Sequence, residues 1–241
     1  MTKFGSPTNL DEQSPLQPKP GCLDQCCCCA LAARISIPFL EKHREAALTV
    51  AGVLGVMGAV LNGFSVLGAF ALEALYWNTY AEPEGTWYAG VSYVCFDNGL
   101  SDSLCYSREA LNCGLADHPR ACRTCHNAEI GIILPMCVGL LVFINLTYAS
   151  VCRLYGLETA SGKCLNASFS LFGGCALLYA LIMYNLTCSN FSFRGTHRLG
   201  PGYYLMLLAT VLKPVIGALH LGLAVKSHSS DEAALREGMI A

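Results

Sequence analysis

The chain has 241 residues, which is enough for one domain of ordinary size. Hydrophobic residues make up 54% of it, charged residues only 13%, and the mean hydropathy is +0.44, which together exclude an ordinary soluble protein. A net charge of -2 gives no reason to expect nucleic acid or another polyanion as a partner.

The first 34 residues differ in character from the rest of the chain. We predict that residues 1–34 form a disordered cytosolic tail, because residues 1–20 are polar and rich in proline. Five cysteines near its end are predicted to be S-acylated (palmitate), because attached acyl chains could enter the nearby bilayer. These are Cys22, Cys26, Cys27, Cys28 and Cys29. The alternatives are a metal cluster or an unmodified run, and residues 35–44 are expected to form a short interfacial helix.

Four apolar runs approach or exceed the ~20 residues that cross a bilayer. They cover residues 46–76, 128–152, 167–186 and 202–225. The sequence therefore predicts a membrane protein with a four-span transmembrane domain over residues 35–226. No cleavable signal peptide is recognised, so the first span is expected to act as a signal-anchor.

Basic residues near the span ends predict the orientation of the chain. The side predicted to be cytosolic has Arg34, Lys42, Arg44, Arg153, Lys163 and Lys226. Six cysteines fall on the opposite side, which suits an oxidising compartment. These are Cys95, Cys105, Cys113, Cys122, Cys125 and Cys188. Both termini, including a tail at 227–241, are therefore predicted to be cytosolic, with outer loops at 77–127 and 187–201.

The first outer loop is predicted to contain a small β structure. Residues 86–95 alternate in a way that predicts one strand, and Asn98-Gly99 favours a hairpin turn because both residue types tolerate positive φ. Paired strands would bring Cys95 and Cys105 within bridging reach, so this is the disulfide that we expect, while spacing leaves the other pairings open. Asn190 and Asn185 are predicted N-glycosylation sites.

The first outer loop and the four apolar runs resemble the claudin-like four-transmembrane superfamily. Gly90, Cys95 and Cys105 keep the spacing of that superfamily's Gly and paired Cys, while Ser92 stands where it has Trp. The similarity is greatest with amastin-type surface proteins. It is carried by Cys95-Phe96, Cys105-Tyr106, Arg120-Ala121-Cys122-Arg123, Cys164-Leu165-Asn166 and the segment from Leu199 to Leu205.

The resemblance implies the fold class and the role. It implies an all-α membrane protein with an up-down four-helix transmembrane bundle and a small disulfide-bonded β hairpin or sheet in the first extracellular loop. It further implies a role in adhesion, surface structure or membrane organisation, and we expect the protein to act in the plasma membrane. The residues show no nucleotide-binding, metal-binding or Ser-His-Asp motif, so no enzymatic activity, cofactor or metal is expected. The expected partners are the lipid bilayer and other membrane proteins or further copies of this chain.

A Cys122-x-x-Cys125 motif at the start of the second span suggests a different function. In thiol-disulfide oxidoreductases such a pair provides a thiolate of lowered pKa, and Arg123 or His126 could assist it here. Outer-loop cysteines with a C-x-x-C also occur in vitamin K epoxide reductases, but there the motif lies in the last span. Structural disulfides are the alternative that we favour.

Lys213 is the costliest residue in a predicted span, at roughly 2.5–3.5 kcal/mol on insertion scales. We expect the intramembrane amides of Asn62 and Asn145 to solvate its ammonium, and Pro214 to kink the fourth span. A structural or partner-facing role is expected for Lys213. The alternative is an accessory channel or transporter subunit centred on it.

Overall fold

The computed structural model describes residues 35–70, 73–82, 84–99, 104–107, 119–157, 160–188 and 196–224. A short helix α1 (Pro38–Lys42) precedes four long helices. They are α2 (Arg44–Phe70), α3 (Pro119–Leu154), α4 (Ala160–Thr187) and α5 (Pro201–Gly222). All four are long and apolar enough to cross a membrane.

The long helices form a ring in which α2 packs on α3, α3 on α4, α4 on α5, and α5 again on α2. Ser65 near the end of α2 bonds to Gly202 at the start of α5, and Cys125 near the start of α3 meets Cys188 directly after α4, so each of these neighbouring pairs is antiparallel. Glycines allow close approach at several crossings. A side chain at position 58 would overlap the buried ring of Phe143, and one at Gly139 would overlap Leu177.

A five-stranded antiparallel sheet lies at one end of the bundle. Its strands are β1 (Asn78–Glu82), β2 (Gly85–Ala89), β3 (Tyr93–Asp97), β4 (Leu104–Ser107) and β5 (Thr196–Leu199). The order across the sheet is β4-β3-β2-β1-β5. Four strands come from the connection between α2 and α3, and β5 comes from the connection between α4 and α5. Both connections are therefore tied into one sheet, called the outer sheet below.

The single strand predicted over residues 86–95 is wrong. The chain folds back at residues 90–92, so that β2 and β3 become neighbouring strands. The reason is the end of α2: the carbonyl of Ala69 accepts hydrogen bonds from the amides of Val91 and Ser92, at 3.0 and 2.9 Å. Gly90 closes the turn by donating its amide to the carbonyl of Tyr93 at 3.0 Å.

The helices also differ in length from the predicted spans. α2 ends at Phe70, six residues before the predicted end of the first span. The chain then turns back towards α2, so that the indole of Trp77 donates to the carbonyl of Ser65. α3 begins at Pro119, nine residues before the second predicted span. Its first two turns are polar and carry Cys122 and Cys125, so hydropathy alone did not include them.

Candidate functional site

The outer sheet contains the disulfide that the hairpin predicts. Cys95 of β3 and Cys105 of β4 lie directly opposite each other in the strand register, and their sulfurs are bonded. Asp97 supports the start of the connecting loop, because its side chain accepts the amide of Gly99 at 2.7 Å. Gly99 has a φ of 71°, a value that the Asn-Gly sequence accommodates easily.

Strand β4 is one of the two edge strands of the described sheet, and β5 is the other. All four of its residues are exposed, and Leu104 and Tyr106 expose 58% and 45% of their surface. Large exposed apolar side chains on an edge strand favour contact with another protein surface. The cross-strand disulfide fixes this edge to the rest of the sheet.

Trp77, directly before β1, packs at the junction between the outer sheet and the bundle. Its indole is fully buried and donates to the carbonyl of Ser65 at 3.1 Å. The ring packs edge-on against Tyr184 of α4 and Tyr203 of α5, with centroid distances of 4.8 and 6.0 Å. One side chain from the first connection thus contacts three of the four long helices.

A second disulfide joins Cys125, in the second turn of α3, to Cys188, directly after α4. Both residues are fully buried. This bond joins the start of α3 to the end of α4, at the end of the bundle where the outer sheet lies. The spacing of the cysteines in the sequence does not predict this pairing. It instead suggests that Cys122 and Cys125 act together as a C-x-x-C motif.

The C-x-x-C cysteines are not bonded to each other. Cys122 is also in a disulfide, and its partner lies outside the described residues, as does Cys113. Both cysteines of the motif are buried. His126 faces Glu129, with 3.8 Å between Nδ1 and Oε2. In this state neither sulfur provides the free thiolate that exchange chemistry requires.

The predicted modification sites have different settings. Asn185 lies in α4, where its amide donates to the hydroxyl of Tyr203 at 2.7 Å. The side chain of Asn185 is therefore already used in packing α4 against α5. Asn190 and the five cysteines of the predicted S-acylation run all lie outside the described residues.

Lys213 lies inside the bundle rather than on its surface. It is fully buried, its ammonium donates to the carbonyl of Gly139 at 2.6 Å, and it lies 3.6 Å from the ring centroid of Phe143. A carbonyl and an aromatic face are both favourable partners for a desolvated cation. No described carboxylate forms an ion pair with it. The partner-facing role expected for Lys213 does not fit this position.

The two predicted amide partners of Lys213 do not solvate it directly. Asn62 is fully buried beside Gly139 and donates to the carbonyl of Met136 at 3.1 Å, while its Oδ1 has no hydrogen-bond partner. Asn145 makes no hydrogen bond to Lys213. It follows Gly139 by six residues, which is about 240° around the helix and places it on another face. The expectation for Asn145 is therefore wrong.

The end of the bundle opposite the outer sheet, called the inner end below, has a buried polar network that sequence analysis missed. Arg153 donates to the carbonyl of His220 at 2.7 Å, and its Nη1 lies 3.1 Å from Nδ1 of that histidine. Because arginine only donates, Nδ1 accepts, and Nε2–H is left to donate to Ser150 at 3.1 Å. From the sequence, Arg153 is only one of the basic residues that predict the orientation of the chain.

The described residues contain no group of three or more His, Cys, Asp or Glu side chains that could hold a metal ion. In comparisons with known proteins, no family model matches the chain, and no curated protein sequence matches it. Its function must therefore be argued from its own residues.

Proposed function

We propose that this protein is a claudin- or amastin-like tetraspan of the cell surface that has no enzymatic activity of its own. Its role is adhesion, structural support or membrane organisation through the first extracellular loop. The observation that carries this proposal is the outer sheet: strands from two connections pair through β1 and β5, a disulfide joins β3 to β4, and the β4 edge exposes apolar side chains.

Membrane insertion follows in this proposal from the outward faces of the long helices. They carry large apolar side chains that a soluble protein would have to cover. Examples are Val53, Val60, Ile130, Leu141, Leu171 and Val211. Lipid is the cover that suits four such faces at once.

The orientation follows from the disulfides. Structural disulfides form in oxidising compartments, so the outer sheet belongs on the extracellular side of the plasma membrane. Both termini are then cytosolic. The cysteine run at 22–29 faces the cytosol, where S-acylation takes place, and Asn190 faces the glycosylating side.

The interaction surface in this proposal is strand β4. Tyrosine and leucine on an exposed edge provide apolar contact area, and an edge strand also offers backbone groups for pairing. The partner is a second copy of this chain or another membrane protein with a matching surface. The disulfide behind the strand lowers the conformational cost of binding because the edge is held in place before contact.

A charge on the β4 edge tests the interaction. Two cell populations expressing differently tagged chains are mixed, and contact between the tags is measured by extracellular cross-linking. We expect Leu104→Asp with Tyr106→Asp to abolish cross-linking while surface delivery stays normal. Leu157→Asp is the control, because Leu157 is even more exposed than the two β4 residues but lies after α3 at the inner end. Unchanged cross-linking in the β4 variant would refute the surface.

Disulfide mapping separates the structural proposal from an oxidoreductase. Protein is alkylated in native membranes before extraction, and each cysteine is scored by mass spectrometry. A structural role predicts that Cys122, Cys125 and Cys188 are oxidised in nearly every molecule. A substantial thiol fraction at Cys122 and Cys125 that changes with added reductant would favour thiol-disulfide exchange instead.

A further inference from the structure

Residues 35–43 lie across the inner end of the bundle. The amide of Ile37 donates to the carbonyl of Gly222, the last residue of α5, at 2.7 Å. The ammonium of Lys163, near the start of α4, donates to the carbonyl of Ile35 at 2.6 Å. This segment, called the pre-helix segment below, is thus held by two different long helices.

Charged groups provide a second set of contacts between the pre-helix segment and the inner end. Arg44 bonds both to Glu41, at 2.9 Å, and to the carbonyl of Ala224, at 2.8 Å. Glu41 in turn accepts the amide of Ala224 at 3.1 Å. The side chain of Leu40 completes the attachment by packing into a small cluster with Leu223 of the inner end. A five-residue helix is too short to be stable alone, so these contacts maintain it.

The opposite side of the pre-helix segment is apolar and exposed. Phe39 exposes 70% of its surface, and Ile37, whose side-chain end also lies against Gly222, exposes 47%. The ring of Phe39 lies 5.2 Å from that of His43, and Lys42 is exposed beside them. An aromatic ring near an exposed lysine is the composition that suits the boundary between acyl chains and headgroups.

We propose that the pre-helix segment is a lipid-binding surface. It inserts Phe39 and Ile37 into the headgroup–acyl boundary of the leaflet at the inner end, and its partner is phospholipid. The depth follows from the bond between Ile37 and Gly222, which places the segment level with the end of α5. Phe39 is therefore exposed at the level of the bundle at which α5 ends. This inference rests on the proposed membrane insertion.

Tryptophan quenching by brominated lipids tests the depth of the segment. The full chain is reconstituted in nanodiscs of phosphatidylcholine and phosphatidylserine, with bromine either close to the headgroup or deep in the acyl chain. The test variant is Phe39→Trp. Leu141→Trp on the outward face of α3 reports membrane insertion, and Leu104→Trp on the outer sheet reports water. The unsubstituted chain provides the background of Trp77 and Trp87.

We expect Trp at position 39 to be quenched several-fold more strongly than Trp at position 104 by lipid brominated near the headgroup, and weakly by aqueous acrylamide. Strong acrylamide quenching without lipid quenching would overturn the proposal. So would the absence of quenching by either reagent, since another part of this chain would then cover the segment. If Trp at position 141 also escapes deep-brominated lipid, membrane insertion itself is wrong, which is a distinct result.

Discussion

The Cys125–Cys188 disulfide should stabilise the protein more than the Cys95–Cys105 disulfide. The cysteines are 63 residues apart in the first pair and 10 in the second. In the chain-entropy description, closing these loops removes freedom from the unfolded chain worth about 4.3 and about 2.7 kcal/mol. Cys125 and Cys188 are also both fully buried, whereas Cys105 is exposed, so their removal leaves the larger packing defect. We expect a difference of about 1.5 kcal/mol or more.

The assay compares two double variants, Cys125→Ala with Cys188→Ala and Cys95→Ala with Cys105→Ala, in detergent under non-reducing conditions. Guanidinium is the denaturant because it also unfolds the helices. Helices that persisted in the unfolded state would reduce the number of flexible residues in the loops that the disulfides close. Fluorescence of Trp77 reports separation of the outer sheet from α4 and α5, which contribute Tyr184 and Tyr203 to its surroundings. The reasoning would be refuted if removing Cys95–Cys105 lowered the free energy of unfolding as much as, or more than, removing Cys125–Cys188.

Three further predictions concern the helices and the inner end. Gly58→Ala, which overlaps a buried ring on α3, should destabilise the protein by about 1–3 kcal/mol, whereas Gly63→Ala meets open space and should be neutral or slightly stabilising. Equal thermal shifts in detergent would contradict this. Lys213→Met should change stability by less than about 2 kcal/mol, because relief of the insertion cost offsets the lost hydrogen bond; loss of ion conductance in proteoliposomes would support the transport alternative. Burial raises the pKa of Glu41, but the amide of Ala224 and the guanidinium of Arg44 outweigh burial, so the pKa lies below its ordinary value. The stability that Glu41 contributes is therefore present above an ordinary glutamate pKa of about 4.3 and is lost as the pH falls through the lower folded-state value. Protection of the Ala224 amide from hydrogen exchange should fall on acidification, and in Glu41→Gln it should not depend on this titration.

The long helices could be predicted from sequence because each is encoded by a continuous apolar run. The outer sheet could be predicted only in part. The β3–β4 hairpin depends on a local turn, but the fold-back at Gly90 depends on the carbonyl of Ala69, which alternation within residues 86–95 cannot indicate. β1 pairs with β5, which lies more than a hundred residues later in the chain. Nothing in either segment alone specifies that partner.

The candidate sites show the same division between local and distant information. Cys95 and Cys105 could be paired from the expected register, whereas Cys125 and Cys188 meet only because α3 and α4 are neighbours in the ring. The depth of Asn145 in its span could be counted, but its direction around the helix relative to Lys213 could not be known without the packing partner. The depth of a residue in the membrane can be counted along its own helix, whereas the neighbour that its side chain faces depends on how two helices pack.

The two ends of the bundle are tied by different chemistry, and this difference supports the proposed orientation. At the outer sheet, distant segments are joined by disulfides. At the inner end, Arg153 and Lys163 are buried and hold the carbonyls of residues from other helices or from the pre-helix segment. Cys152 and Cys164 lie beside those two residues as free thiols. Charge-assisted hydrogen bonds need no oxidant, so they can tie segments in a reducing cytosol where disulfides do not persist. The arrangement of cross-links therefore supports the proposed orientation, in which the outer sheet is extracellular and the inner end is cytosolic.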